Sequence, residues 1–197
     1  MAALEEGALH SASDPAWVKV ALGDFDAVLI DHAHCEKKAA LTALAMVSMF
    51  PDLDELVRRM SKLAQEELRH FYQVHELMRE RGLKLGRDPG DPYAQGLLTL
   101  VRKGGRAEDR RTDRLLICAL IEARSCERLE LLAEALTDEK LRHFYGGLAG
   151  AEAGHYRLFV DLAARYDDPA RVHERLKELA ADEARILAAL PILPRVH

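Results

Sequence analysis

At 197 residues, 49% of them hydrophobic and 31% charged, the chain is long enough to bury one full core. Its net charge of −5 excludes a general nucleic-acid coat, so any such contact has to be a local patch. The three cysteines (Cys35, Cys118, Cys126) show no Cys-x-x-Cys spacing and cannot all pair, which predicts a reducing, cytoplasmic setting.

Met1–Ser13 contains Glu5 and Glu6 but neither a basic leader nor an apolar stretch, so it does not read as a signal peptide. Residues 1–14 are expected to be flexible. A lead-in helix follows over 15–22, with Pro15 suited to its first turn. The first long helix spans Asp24 to Met49. The longest uncharged apolar run, Ala39 to Phe50, is too short to cross a bilayer. Asp52 and Glu55 resemble a capping box opening the second long helix, which runs to Arg81 before Gly82. Residues 82–111 form a crossover with a short helix from Tyr93 to Val101. The third long helix covers Thr112 to Leu136 and the fourth Asp138 to Tyr166. Asp168-Pro169 caps an extra helix over 168–190. No strand pattern competes. The predicted fold class is therefore all-α. It is a ferritin-like four-helix bundle, one domain over 1–197, with a long crossover between the second and third long helices and an additional C-terminal helix.

Steps of three and four residues mark one inward stripe on each long helix. The first carries Leu29, Ala33, Glu36, Ala40, Ala43, Val47 and Phe50; the second Leu56, Met60, Leu63, Glu67, His70, Val74 and Leu77. The third carries Leu115, Ala119, Glu122, Cys126, Leu129, Ala133 and Leu136; the fourth Leu141, Tyr145, Leu148, Glu152, His155, Phe159 and Leu162. A lone glutamate followed by Glu-x-x-His thus occurs twice, at Glu36/Glu67/His70 and Glu122/Glu152/His155. Depth agrees with phase. Glu36 and Glu67 lie at matching distances from Pro51, and Glu122 and Glu152 from Thr137, about 22 Å from each turn at 1.5 Å per residue.

One Glu-x-x-His on a helix is usually a solvated pair. Four buried carboxylates with no Lys or Arg on their stripes need compensation, and bound cations supply it. Four carboxylates and two imidazoles form a hard, anionic donor set that suits two Fe ions, with Mn possible. Such a pair can reduce O2, so oxygen chemistry would reside in the metal centre, with no separate acid or base assigned. Tyr145 is either a core tyrosine with a satisfied hydroxyl or a redox neighbour of the metals. The repeat Leu-Arg-His-Phe-Tyr at 68–72 and 141–145 does not equate His70 with His143, because the inward Tyr145 turns His143 to the surface. His32 and His34 are read as lying off the Glu36 stripe, and His10, His173 and His197 as outside the bundle. The basic run Arg102, Lys103, Arg106, Arg110, Arg111 and Arg114 is either a phosphate contact or a solvated loop.

Four blocks resemble the MiaE family of tRNA 2-methylthio-isopentenyladenosine hydroxylases: Asp-His-Ala-His-Cys-Glu-Lys-Lys-Ala-Ala (31–40), Glu-Glu-Leu-Arg-His-Phe (66–71), Ile-Glu-Ala-Arg-Ser-Cys-Glu-Arg (121–128) and Glu-Ala-Gly-His-Tyr (152–156). The resemblance implies a non-haem di-iron monooxygenase acting on the modified adenosine beside the tRNA anticodon. It would use O2 and electrons from a separate reductase or ferredoxin, with the six residues as iron ligands and the basic run as a contact for the tRNA anticodon arm. Iron storage or oxidant scavenging by a ferritin or rubrerythrin relative is the alternative, and monomer and dimer both stay open. A metal-free helical scaffold or RNA-binding module is the third reading.

Overall fold

The protein is described by a computed structural model covering residues 8–197. Among these residues it forms seven helices and no strand: α1 (Ala16–Gly23), α2 (Phe25–Met49), α3 (Asp54–Glu80), α4 (Pro92–Leu98), α5 (Ala107–Ala135), α6 (Glu139–Tyr166) and α7 (Pro169–Ala189). Aspartate caps set several starts, because their carboxylates accept amide hydrogens left unpaired in a first turn. Asp24 accepts from the Ala27 amide, Asp91 from Ala94, Asp138 from Leu141, and Asp168 from Ala170 and Arg171. Gly82 takes a positive φ of 71° directly after α3, a backbone region that glycine enters without strain.

Four expectations change, the first being the short crossover helix, which ends at Leu98 rather than Val101. The residue before α3 is Leu53, which makes no side-chain cap, and Glu55 instead binds Arg58 and Arg59. Those guanidiniums outcompete the backbone for the carboxylate that a capping box requires. α5 starts at Ala107, five residues earlier than Thr112, so Arg110 and Arg111 are helical. The Asp109 carboxylate accepts from both the Arg106 amide and the Arg106 guanidinium, closing that first turn. Of the N-terminal segment expected to be flexible, residues 1–7 lie outside the described residues. Residues 8–14 are held: the Ser13 amide and hydroxyl donate to Glu127 at 2.7 Å each, and Ala8 and Ser13 are buried.

The described chain divides into two compact units. One comprises Lys19–Pro89 with Leu193–Val196 and is built on the α2–α3 hairpin. Leu29, Ala33, Ala40, Ala43 and Met46 of α2 are buried, as are Leu56, Met60, Leu63, Val74 and Met78 of α3. Val47 and Leu77 of the expected stripes are only half-buried, because Met46 and Met78 take the inward positions there. His34 is buried, its Nε2 3.1 Å from the Leu85 carbonyl oxygen.

The other unit contains residues up to Val18, Gly90–Ile192 and His197, with α5 packed on α6 and α7 and with α4 against α5 and α7. Its polar centre is Arg124, fully buried on α5, whose guanidinium donates to both carboxylate oxygens of the equally buried Glu183 at 3.0 Å. Tyr93 Oη donates to Glu183 at 2.8 Å, and Arg124 also donates to the Ser13 hydroxyl and the Ser11 carbonyl. Arg128 sits 4.9 Å over the Trp17 ring. His197, expected outside the bundle, stacks on Tyr93 and has Nε2 2.7 Å from Ser125 Oγ. No helix of the described residues is long and apolar enough to cross a membrane.

Candidate metal centre

The α2–α3 hairpin brings Glu36, Glu67 and His70 together. The two helices approach their connection from opposite directions, so equal distances from it place Glu36 and Glu67 at one level. His70, three residues after Glu67, falls on the same stripe. One donor atom from each of the three lies within 4.8 Å of the others. His70 Nδ1 is 3.7 Å from Glu36 Oε2 and 3.7 Å from Glu67 Oε2, and all three side chains are buried. The α5–α6 hairpin repeats the arrangement. His155 Nδ1 lies 3.3 Å from Glu152 Oε2 and 4.0 Å from Glu122 Oε2, all buried.

These donor sets fit a hard divalent ion. Each offers two carboxylates and one imidazole, and most of the N···O separations are too long for a strong hydrogen bond. They are instead close to the roughly 3.0–3.6 Å that neighbouring donors keep around a shared cation with bonds near 2.1 Å.

Electrostatics point the same way. Burial opposes charging the His70 ring, yet the Glu36 and Glu67 carboxylates outweigh it and raise the pKa from 6.5 to about 9. In the metal-free protein a proton on His70 therefore compensates the two carboxylates at neutral pH. A group whose pKa rises on folding stabilises the fold below its ordinary value and loses that contribution as pH climbs through the raised one. Metal-free protein is thus expected to lose thermal stability between about pH 6.5 and about pH 9. Over the same interval metal affinity should rise about tenfold per pH unit for the single displaced proton. Calorimetric melting and Fe(II) titration across that range measure both slopes; flat profiles would contradict the assignment of His70.

His32 is the residue that reading the sequence missed. It is 1% exposed and its Nε2 lies 2.7 Å from Glu36 Oε1. Four residues turn a 3.6-residue helix by only about 40° beyond a full turn, so i−4 spacing was the available signal. Tyr145 is buried, its ring edge-on to Phe144 with centroids 5.4 Å apart. His143 is exposed as expected.

The basic run is largely built into the protein. Arg102 clasps the fully buried Asp113 at 2.8 Å and Arg106 pairs with Asp109 at 2.9 Å. Arg111 donates to the Tyr166 carbonyl and lies over that ring, while Arg110 donates to the Gly105 carbonyl. Arg171 and Arg175 of α7 reach the same two aspartates, at 3.1 and 2.9 Å. Four arginines thus share Asp109 and Asp113, with Arg171 also near Asp167 and Arg175 on Glu178. Lys103 is exposed, and Arg114 is half-buried.

An all-α chain of two long hairpins joined by a crossover, each hairpin carrying a buried glutamate and a Glu-x-x-His, belongs to the ferritin-like carboxylate class. Within that class the chain belongs to the MiaE family, whose model, described as tRNA-(MS[2]IO[6]A)-hydroxylase (MiaE), matches residues 2–197. It is 41% identical to the tRNA 2-(methylsulfanyl)-N(6)-isopentenyladenosine(37) hydroxylase of Pseudomonas putida, over 87% of this chain and 82% of the relative. It is 32% identical to the Salmonella typhimurium protein of the same name, over 79% of this chain and 74% of that one. Among solved structures it resembles a Synechococcus protein with aldehyde deformylating oxygenase activity. The TM-score is 0.90 and the identity 38%, covering 96% of this chain and 94% of the other.

Proposed function

We propose that this protein is a non-haem di-iron monooxygenase that hydroxylates the isopentenyl group of 2-methylthio-isopentenyladenosine beside the anticodon of tRNA. The observation that carries the reading is the doubled Glu and Glu-x-x-His pattern, buried in both hairpins of a chain matching the MiaE family from end to end. Glu36, Glu67 and His70 would hold one iron ion, and Glu122, Glu152 and His155 the other. Within each hairpin the matched depths in the sequence support this. When bound, the iron pair would supply the reduction of O2 by two external electrons and two protons, one oxygen atom entering a C–H bond and the other leaving as water.

The protein's own contribution is to bring the carboxylates into low-dielectric surroundings at fixed spacing, and to keep water from the reacting carbon. The electron donor is a separate reductase or ferredoxin, and the reaction belongs to the cytoplasm, where tRNA is modified. The names of the relatives favour hydroxylation over iron storage or oxidant scavenging. The test is nucleoside mass spectrometry of isopentenylated tRNA incubated with iron-loaded protein, O2 and an electron supply. Gain of one oxygen atom is expected, and an unchanged nucleoside under these conditions would refute the reading.

The basic run is the proposed site for tRNA phosphates. Arg102, Arg106, Arg171 and Arg175 are balanced by Asp109, Asp113, Asp167 and Glu178, so the positive charge left over at this end is that of the flanking Lys103 and Arg110. Replacing Lys103 and Arg110 together by alanine is expected to weaken tRNA binding without changing iron content. It should also lower the slope of log affinity against log salt by about one per lost phosphate contact. An unchanged salt slope would place the RNA elsewhere.

A further inference from the structure

The two hairpins repeat one ligand pattern, yet they differ one helical turn before the lone glutamate. His32 precedes Glu36 by four residues, whereas Cys118 precedes Glu122 by four. Both are buried. A carboxylate can only accept, so the His32 ring donates its Nε2–H to Glu36 Oε1 across 2.7 Å. The other oxygen, Oε2, is the one that lies 3.7 Å from His70 Nδ1. The two oxygens of Glu36 are therefore divided between two imidazoles. Where water is scarce, a charge-assisted hydrogen bond of this length is strong and costly to lose.

From this division we infer that His32 is a positioning residue that confines Glu36 to metal binding through Oε2 alone. A thiol is a far weaker donor than an imidazole, so Cys118 cannot impose the same restriction on Glu122. The consequence is a pair of inequivalent metal positions. The ion beside Glu36, Glu67 and His70 would have a fixed one-oxygen carboxylate, set by an imidazole that the position before Glu122 does not supply. This rests on the di-iron reading above.

The experiment is anaerobic Fe(II) titration, followed by Mössbauer spectroscopy of protein loaded with enriched iron, for the wild type and four variants. Wild-type protein is expected to bind two ions with two distinct quadrupole doublets. His32→Ala should weaken one binding step by about 10- to 100-fold, the effect of removing a hydrogen-bond partner of a metal ligand, and shift one doublet only. His32→Gln, whose amide nitrogen can stand where Nε2 stands, should restore most of the affinity. His32→Asn, polar but too short to reach Oε1, should not. This contrast still decides the matter if His32→Ala folds poorly. Cys118→Ala should leave both steps and both doublets unchanged.

Equal affinities and spectra for wild type, His32→Ala and His32→Asn would overturn the inference. So would a Cys118→Ala loss as large as that of His32→Ala, which would reduce both residues to packing. Wild-type protein that binds no iron would instead refute the di-iron reading itself, and the inference with it.

Discussion

Glu67→Ala is expected to strip the protein of iron and to reduce hydroxylated nucleoside by more than about 100-fold. Loss of a partner one step removed from a metal typically costs 10- to 100-fold, and Glu67 is itself a proposed ligand. It is 1% exposed, in the middle of a stripe whose other members are apolar or ligands. The fold should survive, because the variant deletes a buried charge rather than orphaning one. His70 is the internal check. Its pKa stands near 9 partly because of the Glu67 carboxylate, so deleting that carboxylate should move it down toward 6.5. NMR titration of the His70 ring in metal-free variant protein reads this directly. Iron content by emission spectroscopy and helicity by circular dichroism separate loss of the site from loss of the fold. Full iron content in the variant would remove Glu67 from the ligand set.

The largest stability effect is expected at Arg124. Arg124→Ala should destabilise the protein by about 3–5 kcal/mol, the usual cost of breaking a buried ion pair from one side. At this chain length that corresponds to a melting shift of roughly 6–20 °C. The reason is the partner left behind. Glu183 is fully buried, and without Arg124 it keeps only the hydrogen bond from the Tyr93 hydroxyl. Glu183→Ala should cost less, since Arg124 keeps Glu127, Ser13 and the Ser11 carbonyl. Changing both residues, Arg124→Met with Glu183→Leu, should recover most of the loss, because neither charge is then buried alone. Thermal denaturation of the three proteins measures the pattern. A double variant as unstable as Arg124→Ala would show that the pair contributes net stability rather than mutual compensation.

Arg124 also marks where sequence reading stops. Its block, Ile-Glu-Ala-Arg-Ser-Cys-Glu-Arg, carried the family likeness, but nothing local in it says that Arg124 reaches Glu183, 59 residues away. The same limit applies to Ser13, expected in a flexible segment and fixed by Glu127, 114 residues away. Features set by near neighbours in the chain were legible. Asp24, Asp138 and Asp168 each placed a helix start within a residue, since a cap needs only a carboxylate and the amides two or three positions on. Asp52 and Glu55 satisfied the same local rule and failed, because Arg58 and Arg59 made the better partners for Glu55.

Within each hairpin the buried triads were legible for a geometric reason. Turn position and helical phase together specify a level and a direction, and Glu36, Glu67 and His70 meet both conditions, as do Glu122, Glu152 and His155. His32 escaped because a strict heptad stripe is narrower than the buried arc of α2, which also takes in Val28 and Cys35. The basic run was legible as charge but not as structure. Whether Arg102 faces solvent or Asp113 depends on how α5 begins, and the charge pairs themselves move that beginning to Ala107.

Everything proposed for this protein turns on whether its buried glutamates and histidines hold iron. The direct measurement is the metal content, per chain, of protein purified after iron supplementation under reducing conditions. The account predicts two iron ions per chain, with Mn competing for the same positions; a chain that carries no transition metal under those conditions would contradict it.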